Sequence, residues 1–139
     1  MRIKLTDKHR TAIALQAERT YPHECCGLLL GRELHGAKVV EDLWPCDNAW
    51  VESPQNRSLI PSEQVLQCDR EARARGLEII GFYHSHPNVP ARPSEFDREH
   101  ALPWWSYIII SVQNGKVAEL RSWRLRDDRS QFDQEEIFT

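Results

Sequence analysis

Short apolar runs bounded by glycine or proline alternate along the chain with segments whose apolar positions recur at helical spacing. The stretch from Asp7 to about Thr20 has this spacing and predicts an amphipathic helix, with Thr6 as a plausible N-cap. Because the residue before a proline disfavours the helical conformation, the helix is expected to end at Tyr21-Pro22. The run from Cys25 to Gly31 is apolar throughout, which is typical of a strand buried on both faces.

The rest of the chain continues this alternation of helices and strands. A second helix is expected from Ser62 to Arg75, followed by Gly76 as a C-terminal cap, and a short third helix runs from Ser94 to about Leu102. Further strands are predicted at Met1 to Leu5, Lys38 to Trp44, Glu78 to His86, Tyr107 to Gln113 and Lys116 to Leu125, with an edge strand in the polar tail at Phe132, Ile137 and Phe138.

The order of these elements predicts the fold class. Asn114-Gly115 between the last two long strands is a strong hairpin signal, so the sheet is expected to be mixed rather than purely parallel. We therefore predict an α/β fold, a three-layer-like sandwich with a mixed β-sheet and flanking helices. The 139 residues fit one domain spanning 1–139 and are too few for a (β/α)₈ barrel, which needs about 250 residues.

Composition and charge exclude several classes of function. The chain has 18 basic and 21 acidic residues, without a basic stripe that would indicate nucleic-acid binding. No apolar run approaches the roughly 18 residues of a membrane span. Because the N-terminus from Met1 to Arg10 is too polar for a signal peptide, we expect a cytoplasmic protein with reduced cysteines and with neither a nucleic-acid nor a membrane partner.

The segment from His84 to Asp97 contains the most informative residues. Side chains alternate along a strand, so His84 and His86 point to the same side and form a half-site for zinc. Ser94 suits the N-cap of the following helix and places Asp97 in its first turn, where a loop of this length can bring the carboxylate back to the histidines. Two histidines and one carboxylate leave a fourth position for water, as a catalytic zinc site requires.

A zinc hydrolase of this kind usually also needs a carboxylate that is not a ligand. Glu24 directly precedes the buried strand and reaches the site if that strand neighbours the strand of His84. Each feature taken alone has a simpler interpretation: an incidental pair of histidines, a helix cap at Ser94 and a surface charge at Glu24. Cys25 and Cys26 are interpreted as small core residues rather than nucleophiles.

Taken together, Glu24, His84-Ser85-His86-Pro87 and Ser94-x-x-Asp97 resemble the JAMM motif of the MPN-domain metalloproteases. The resemblance extends to the helix-to-strand junction at 21–31 and to the strand at 79–83, and it covers about Ile3 to Leu125. The C-terminal hairpin resembles that of the small stand-alone prokaryotic members. The resemblance implies the MPN/JAMM fold, which is similar to that of cytidine deaminases.

The resemblance also implies a function. It implies a zinc hydrolase that cleaves the peptide or isopeptide bond after the C-terminal Gly-Gly tail of a ubiquitin-like or sulfur-carrier protein. His84, His86 and Asp97 would hold one zinc ion per chain with water as the fourth ligand, Glu24 would act as general base and then proton donor, and Ser94 would stabilise the oxyanion. The irregular stretch from Trp44 to Ile60 is a candidate wall of the substrate groove, and Asn48 and Arg57 are candidate tail contacts.

Alternatives remain open at this point. One is a non-catalytic MPN-type scaffold or interaction module that retains a metal, and another is a metal sensor or storage protein. Deaminase-type and thermolysin-type zinc sites are disfavoured because their His-x-Glu, Pro-Cys-x-x-Cys and His-Glu-x-x-His signatures are absent from the sequence. The sequence does not distinguish cysteine, another amino acid or a protein lysine as the leaving group, and it leaves a homodimer possible.

Overall fold

The computed structural model describes residues 1–46 and 60–139, and within these ranges the chain forms seven strands and three helices. In chain order they are β1 (Arg2–Lys4), α1 (Asp7–Thr20), β2 (Cys26–Leu34), β3 (Ala37–Cys46), α2 (Ser62–Ala74), β4 (Glu78–Pro87), α3 (Glu95–His100), β5 (Ser106–Gln113), β6 (Lys116–Leu125) and β7 (Phe132–Phe138). The predicted long elements are all present, with boundaries that differ by a few residues.

The strands form one sheet, which is mixed as predicted, and their order is β1-β3-β2-β4-β5-β6-β7. Strands β4 and β5 pair in parallel, and β1 pairs in parallel with both β3 and β7, whereas the other neighbours are antiparallel. The sheet also closes on itself, because β7 pairs with β6 on one side and with β1 on the other. The prediction that the tail forms an edge strand is therefore wrong in this respect: β7 is the closing strand.

Helices cover both faces of the sheet and bury its apolar side chains. Helix α1 contributes Ile13 and Ala17 to one cluster, which also contains Leu29, Ile80 and Ile108. Helix α2 packs against the other face through Cys68 and Ala72 in a separate cluster. Full burial of each large aliphatic side chain contributes about 1.5–3 kcal/mol, so the two clusters together account for much of the favourable free energy of folding.

The ends of two helices differ in detail from the sequence predictions. Thr6 occupies the N-cap position of α1, but its hydroxyl makes no cap hydrogen bond and lies 3.3 Å from the Nδ1 atom of His9. Helix α3 ends at His100, two residues earlier than predicted, and Ala101 is already extended. Pro103 explains the difference, because it disfavours the helical conformation at the residue before it.

Close packing of β2 against β4 brings the N-terminal part of the chain to the predicted metal ligands. The two strands are antiparallel and Cys26 is paired with His84. A Cβ atom at Gly27 would lie 2.2 Å from the Tyr83 ring, so only glycine allows this approach. The Tyr83 hydroxyl donates a hydrogen bond to the Gln16 side chain, whose Nε2 atom donates to the Cys26 carbonyl over 3.0 Å. Helix α1 is thereby joined to both strands.

None of the helices in the described part of the chain is long and apolar enough to cross a membrane. All four cysteines carry free thiols.

Candidate metal centre and pocket

The structure brings the three predicted metal ligands together at the C-terminal end of β4. The Nε2 atoms of His84 and His86 are 3.1 Å apart. The Oδ1 atom of Asp97 lies 3.2 Å from Nε2 of His84, and its Oδ2 atom lies 3.3 Å from Nε2 of His86. Both histidines are buried, and His84 is only 1 % exposed. The three side chains therefore direct their polar atoms at one point.

The donor set fits a metal ion of zinc-like size. Ligand atoms bound about 2.0–2.1 Å from a tetrahedral ion lie roughly 3.3 Å from one another, close to the separations observed here. The Nδ1 atom of His86 lies 3.0 Å from the Pro90 carbonyl, which favours a proton on Nδ1 and leaves the Nε2 lone pair for the shared point. The three residues could thus hold a metal ion.

The charges of these residues are strongly coupled. Burial opposes ionisation of Asp97, but His84 and His86 outweigh it and hold the pKa of the carboxyl far below its usual range. Burial also opposes protonation of His84, but the Asp97 carboxylate, assisted by Glu24, raises the pKa of the imidazole above its ordinary value. The carboxylate is therefore ionised over the whole physiological range, as a metal ligand must be.

The N-terminus of α3 forms the predicted capping box. The Asp97 backbone N–H donates to Ser94 Oγ over 3.1 Å, and the Ser94 N–H donates to Asp97 Oδ2 over 2.8 Å. These bonds fix the carboxylate that faces the histidines. Ser94 is exposed beside this carboxylate, and because its oxygen accepts the backbone bond, its own O–H proton is free to donate elsewhere.

Glu24 is 4 % exposed, and its charge helps to raise the pKa of His84, so the simpler interpretation as a surface charge is wrong. The segment that carries it is joined to β4 by two hydrogen bonds: the Cys25 N–H donates to Ser85 Oγ over 2.8 Å, and the Ser85 N–H donates to the Cys25 carbonyl over 3.1 Å. Sequence reasoning did not identify Ser85 as this link, because no local pattern shows which residue it faces.

Cys25 and Cys26 are buried, as expected for small core residues. Burial raises the pKa of the Cys25 thiol, although hydrogen bonds from Ser85 and Thr20 oppose the effect, so this thiol stays protonated and is a poor nucleophile.

A pocket of about 160 Å³ opens next to His84 and Asp97. One part of the lining comes from α2 and the preceding Ile60, and a second wall comes from α3 and the loop that leads to β5. The complete lining is Leu28, Ile60, Val65, Phe82, His84, Phe96, Asp97, His100, Leu102, Trp105 and Tyr107. Apart from the two predicted ligands and a histidine, these side chains are aliphatic or aromatic.

The sequence indicated only part of this pocket. Of the predicted wall from Trp44 to Ile60, Ile60 lines the pocket and Trp44 packs against the neighbouring cluster. Asn48 and Arg57 lie outside the described residues. The second wall was not foreseen: the Leu102 N–H donates to the Tyr107 hydroxyl over 2.6 Å, and burial raises the pKa of Tyr107 to about 12.

The comparisons with known proteins agree with this geometry. Residues 6–126 match the family model described as prokaryotic homologs of the JAB domain. The chain therefore belongs to this family, and the resemblance to the small prokaryotic JAMM/MPN proteins is confirmed.

The sequence is similar to several named proteins. The chain is 37% identical over 98 residues to the desampylase of Haloferax volcanii, with 70% of this chain and 68% of that protein aligned. It is 33% identical over 117 residues to the CysO-cysteine peptidase of Mycobacterium tuberculosis, covering 84% and 77% of the two chains. It is also 31% identical over 114 residues to tail tip assembly protein K of Escherichia phage N15, which covers 79% of this chain but only 41% of the longer phage protein.

Solved structures give the same fold. A solution structure from Desulfitobacterium hafniense superposes with a TM-score of 0.82 at 36% identity and covers 98% of this chain and 91% of that one. A JAB1/MPN domain protein from Archaeoglobus fulgidus superposes over both complete chains with a TM-score of 0.61 at 19% identity. The predicted α/β fold with a mixed sheet and flanking helices is therefore confirmed as the MPN fold.

Proposed function

We propose that this protein is a zinc-dependent hydrolase that cleaves the peptide or isopeptide bond after the C-terminal Gly-Gly tail of a ubiquitin-like or sulfur-carrier protein. The convergence of His84, His86 and Asp97, together with the burial of Glu24, is the observation that carries this proposal. The similarity to proteins named desampylase and CysO-cysteine peptidase supports the substrate class.

Two imidazoles and one carboxylate would hold one zinc ion per chain and leave a coordination position open to solvent. When bound there, zinc would act as a Lewis acid and lower the pKa of a coordinated water to about 7. Asp97 supplies an ionised oxygen ligand without a further protonation change, and the two imidazoles would bind through Nε2 in their neutral form.

Glu24 moves the proton in this reaction. Its carboxylate accepts a proton from the attacking water and then passes it to the leaving amine, and a positioned group of this type contributes about 10²- to 10⁴-fold to the rate. Ser94 donates its hydroxyl proton to the carbonyl oxygen as negative charge develops, a contact that contributes about 3 kcal/mol in other oxyanion holes. The capping box holds Ser94 beside Asp97 for this task.

The apolar pocket supports the proposed Gly-Gly tail. An extended segment that enters this pocket meets the bulky side chains that line it. Glycine residues carry no Cβ atom and fit such a channel, whereas a larger residue next to the scissile bond would meet Phe82 or Trp105. The pocket therefore supports a narrow, glycine-ended substrate.

The proposal is tested by intact-mass analysis of a ubiquitin-like carrier that ends in Gly-Gly and bears either a C-terminal cysteine or an adduct on a lysine side chain. The zinc-loaded protein is expected to remove one of these groups, and a chelator is expected to abolish the reaction. Stoichiometric zinc with no cleavage of either probe would contradict the hydrolase and favour a metal-retaining scaffold.

A further inference from the structure

Helix α3 carries Asp97 but has little that holds it in place. It contains six residues, and none of them is buried. A helix of this length is far too short to be stable by itself, because isolated helices below about 12 residues are marginal in water. Contacts with residues outside the helix are therefore needed to set the position of Asp97 relative to the histidines.

The capping box accounts for the N-terminal end only. It joins Ser94 to Asp97, two residues of the same segment, and so it shapes the first turn without attaching it to the sheet. The contact between Arg98 and Glu95 is also internal to α3. Ala101, directly after the helix, packs in a small cluster with Tyr107 and Leu125.

Arg129 makes the polar attachment at the C-terminal end. It lies in the turn 126–131 between β6 and β7, and its guanidinium donates to three carbonyls: Ala101 over 2.8 Å, Arg98 over 3.1 Å and Glu99 over 3.2 Å. Arg98 in turn donates to the Arg129 carbonyl over 2.9 Å. The last carbonyls of a helix lack intrahelical partners and carry the negative end of its dipole, so a cation is favoured there.

The backbone conformation of Arg129 indicates that arginine occupies this position for the contacts of its side chain. Its φ angle is +63°, in the left-handed region that glycine and asparagine adopt more readily than arginine. Glycine would adopt this backbone conformation without strain if the turn required nothing else at this position. Arginine occupies a strained position here and forms three hydrogen bonds to α3.

We propose that Arg129 is a positioning residue of the metal centre, which holds the C-terminal end of α3 against the sheet and thereby keeps Asp97 opposite His84 and His86. The inference rests on the proposed function in one respect, because it takes Asp97 as a metal ligand. Arg129 lies in the turn that joins two strands of the same closed sheet as β4, so it couples the helix that carries Asp97 to the sheet that carries the histidines.

The test compares Arg129→Ala, Arg129→Gly and Arg129→Lys with Arg126→Ala. Arg126 is the matched control, because it lies in the same turn but its side chain pairs with the exposed Asp133 and not with α3. Two quantities are measured: the zinc dissociation constant by chelator competition, and amide hydrogen exchange of residues 94–101 in the metal-free protein.

We expect Arg129→Ala and Arg129→Gly to weaken zinc binding about 10- to 100-fold, as loss of a group that orients a metal ligand typically does. The same variants should exchange faster in α3, Arg129→Lys should be intermediate, and Arg126→Ala should match the wild type. Arg129→Gly is informative because it removes the whole side chain while glycine readily adopts the positive φ of this position.

Unchanged zinc affinity in Arg129→Gly, or an equal loss in Arg126→Ala, would overturn the inference. A wild-type chain that binds no zinc would overturn the proposed function instead. Unchanged exchange in α3 of Arg129→Ala would show that the guanidinium does not hold the helix, whatever the metal does.

Discussion

Among the described residues, two clusters of largely buried polar side chains differ in where their polar atoms find partners. The barrel cluster consists of the buried Lys38, Ser106, Ser122 and Glu135 and the partly buried Arg124. The metal cluster consists of His84, His86 and Asp97. Burying such groups is unfavourable unless they are hydrogen-bonded or paired. The partners of each cluster therefore indicate whether it is structural or binds a ligand.

In the barrel cluster the protein itself supplies most of the partners, and Nε of Arg124 is the one buried side-chain atom of this cluster that has no hydrogen-bond partner among the described residues. Lys38 is 2 % exposed, and its ammonium donates to the carbonyls of Ile80 and Trp104 and to Ser106 Oγ, the last over 3.1 Å. Glu135 accepts a hydrogen bond from Ser122 over 2.9 Å and one from Arg124 over 3.4 Å. Three ammonium protons have three acceptors, so Lys38 needs no external ligand.

In the metal cluster the polar atoms face one another and an open pocket. The two Nε2 atoms and the carboxylate are about 3 Å apart, and Nδ1 of the buried His84 has no hydrogen-bond partner among the described residues. Buried charge alone therefore does not indicate a functional site. The informative feature is a set of donor atoms that the rest of the chain leaves available to one ligand.

The largest expected effect comes from His84→Ala, which removes one ligand from the metal cluster. Cleavage of a Gly-Gly-tailed conjugate should fall to the level of the chelator-treated wild type, and bound zinc measured by elemental analysis should fall from about one ion per chain to a trace. His100→Ala is the control, since His100 lines the same pocket but stacks on Phe96 and is not among the ligands. Equal zinc loss in both variants would contradict the assignment of His84, rather than His100, as a metal ligand.

Glu24 and Glu135 are both buried, and their substitution should have different effects. Glu24→Gln should retain zinc and lose about 10²- to 10⁴-fold in kcat, because an amide cannot accept the proton. Glu135→Gln should leave kcat unchanged and lower the free energy of unfolding, because it removes the negative charge that faces Arg124. Steady-state kinetics and chemical denaturation of both variants test this, and full activity in zinc-loaded Glu24→Gln would refute the assignment of the base.

Ser94→Ala separates the two roles proposed for that hydroxyl. Loss of the cap alone should lower stability by about 1 kcal/mol, and loss of an oxyanion donor should also lower kcat about 10²-fold. Ser94→Thr retains a hydroxyl and is the control. If kcat of Ser94→Ala equals that of the wild type, Ser94 acts only as a helix cap.

The smallest effect concerns the barrel cluster and its response to pH. Burial, reinforced by the nearby Arg124 charge, lowers the pKa of Lys38 to about 8 from its ordinary 10.5. Between these values the unfolded chain binds more protons than the folded chain, so the contribution of Lys38 to stability rises with pH. Denaturation curves should show this rise in the wild type and not in Lys38→Met. An identical pH dependence in the two proteins would contradict it.

The sequence predicted the parts of the site that depend on local geometry. Alternation along a strand places His84 and His86 on one side, and the Ser94-x-x-Asp97 spacing predicts the capping box that is observed. Asn114-Gly115 forms the predicted hairpin turn, with both residues at positive φ. These features need only neighbours within a few residues.

The features that were missed depend on partners far along the chain. The burial of Lys38 depends on Ile80, Trp104 and Ser106, which are 42 to 68 residues away. Closure of the sheet pairs Ile3 with Ile137, and nothing in the polar tail indicates that partner. The contact between Arg129 and α3 spans about 30 residues and joins two segments that each look like exposed surface.

The coordination shell of bound zinc tests the central claim most directly. X-ray absorption at the zinc edge of the reconstituted protein should show one ion per chain with only nitrogen and oxygen neighbours at about 2.0–2.1 Å, two of them imidazoles. Four free cysteines offer a competing set of ligands in the same chain. Sulfur neighbours at about 2.3 Å, or a shell unchanged by His84→Ala, would show that the metal is bound elsewhere and would contradict the account.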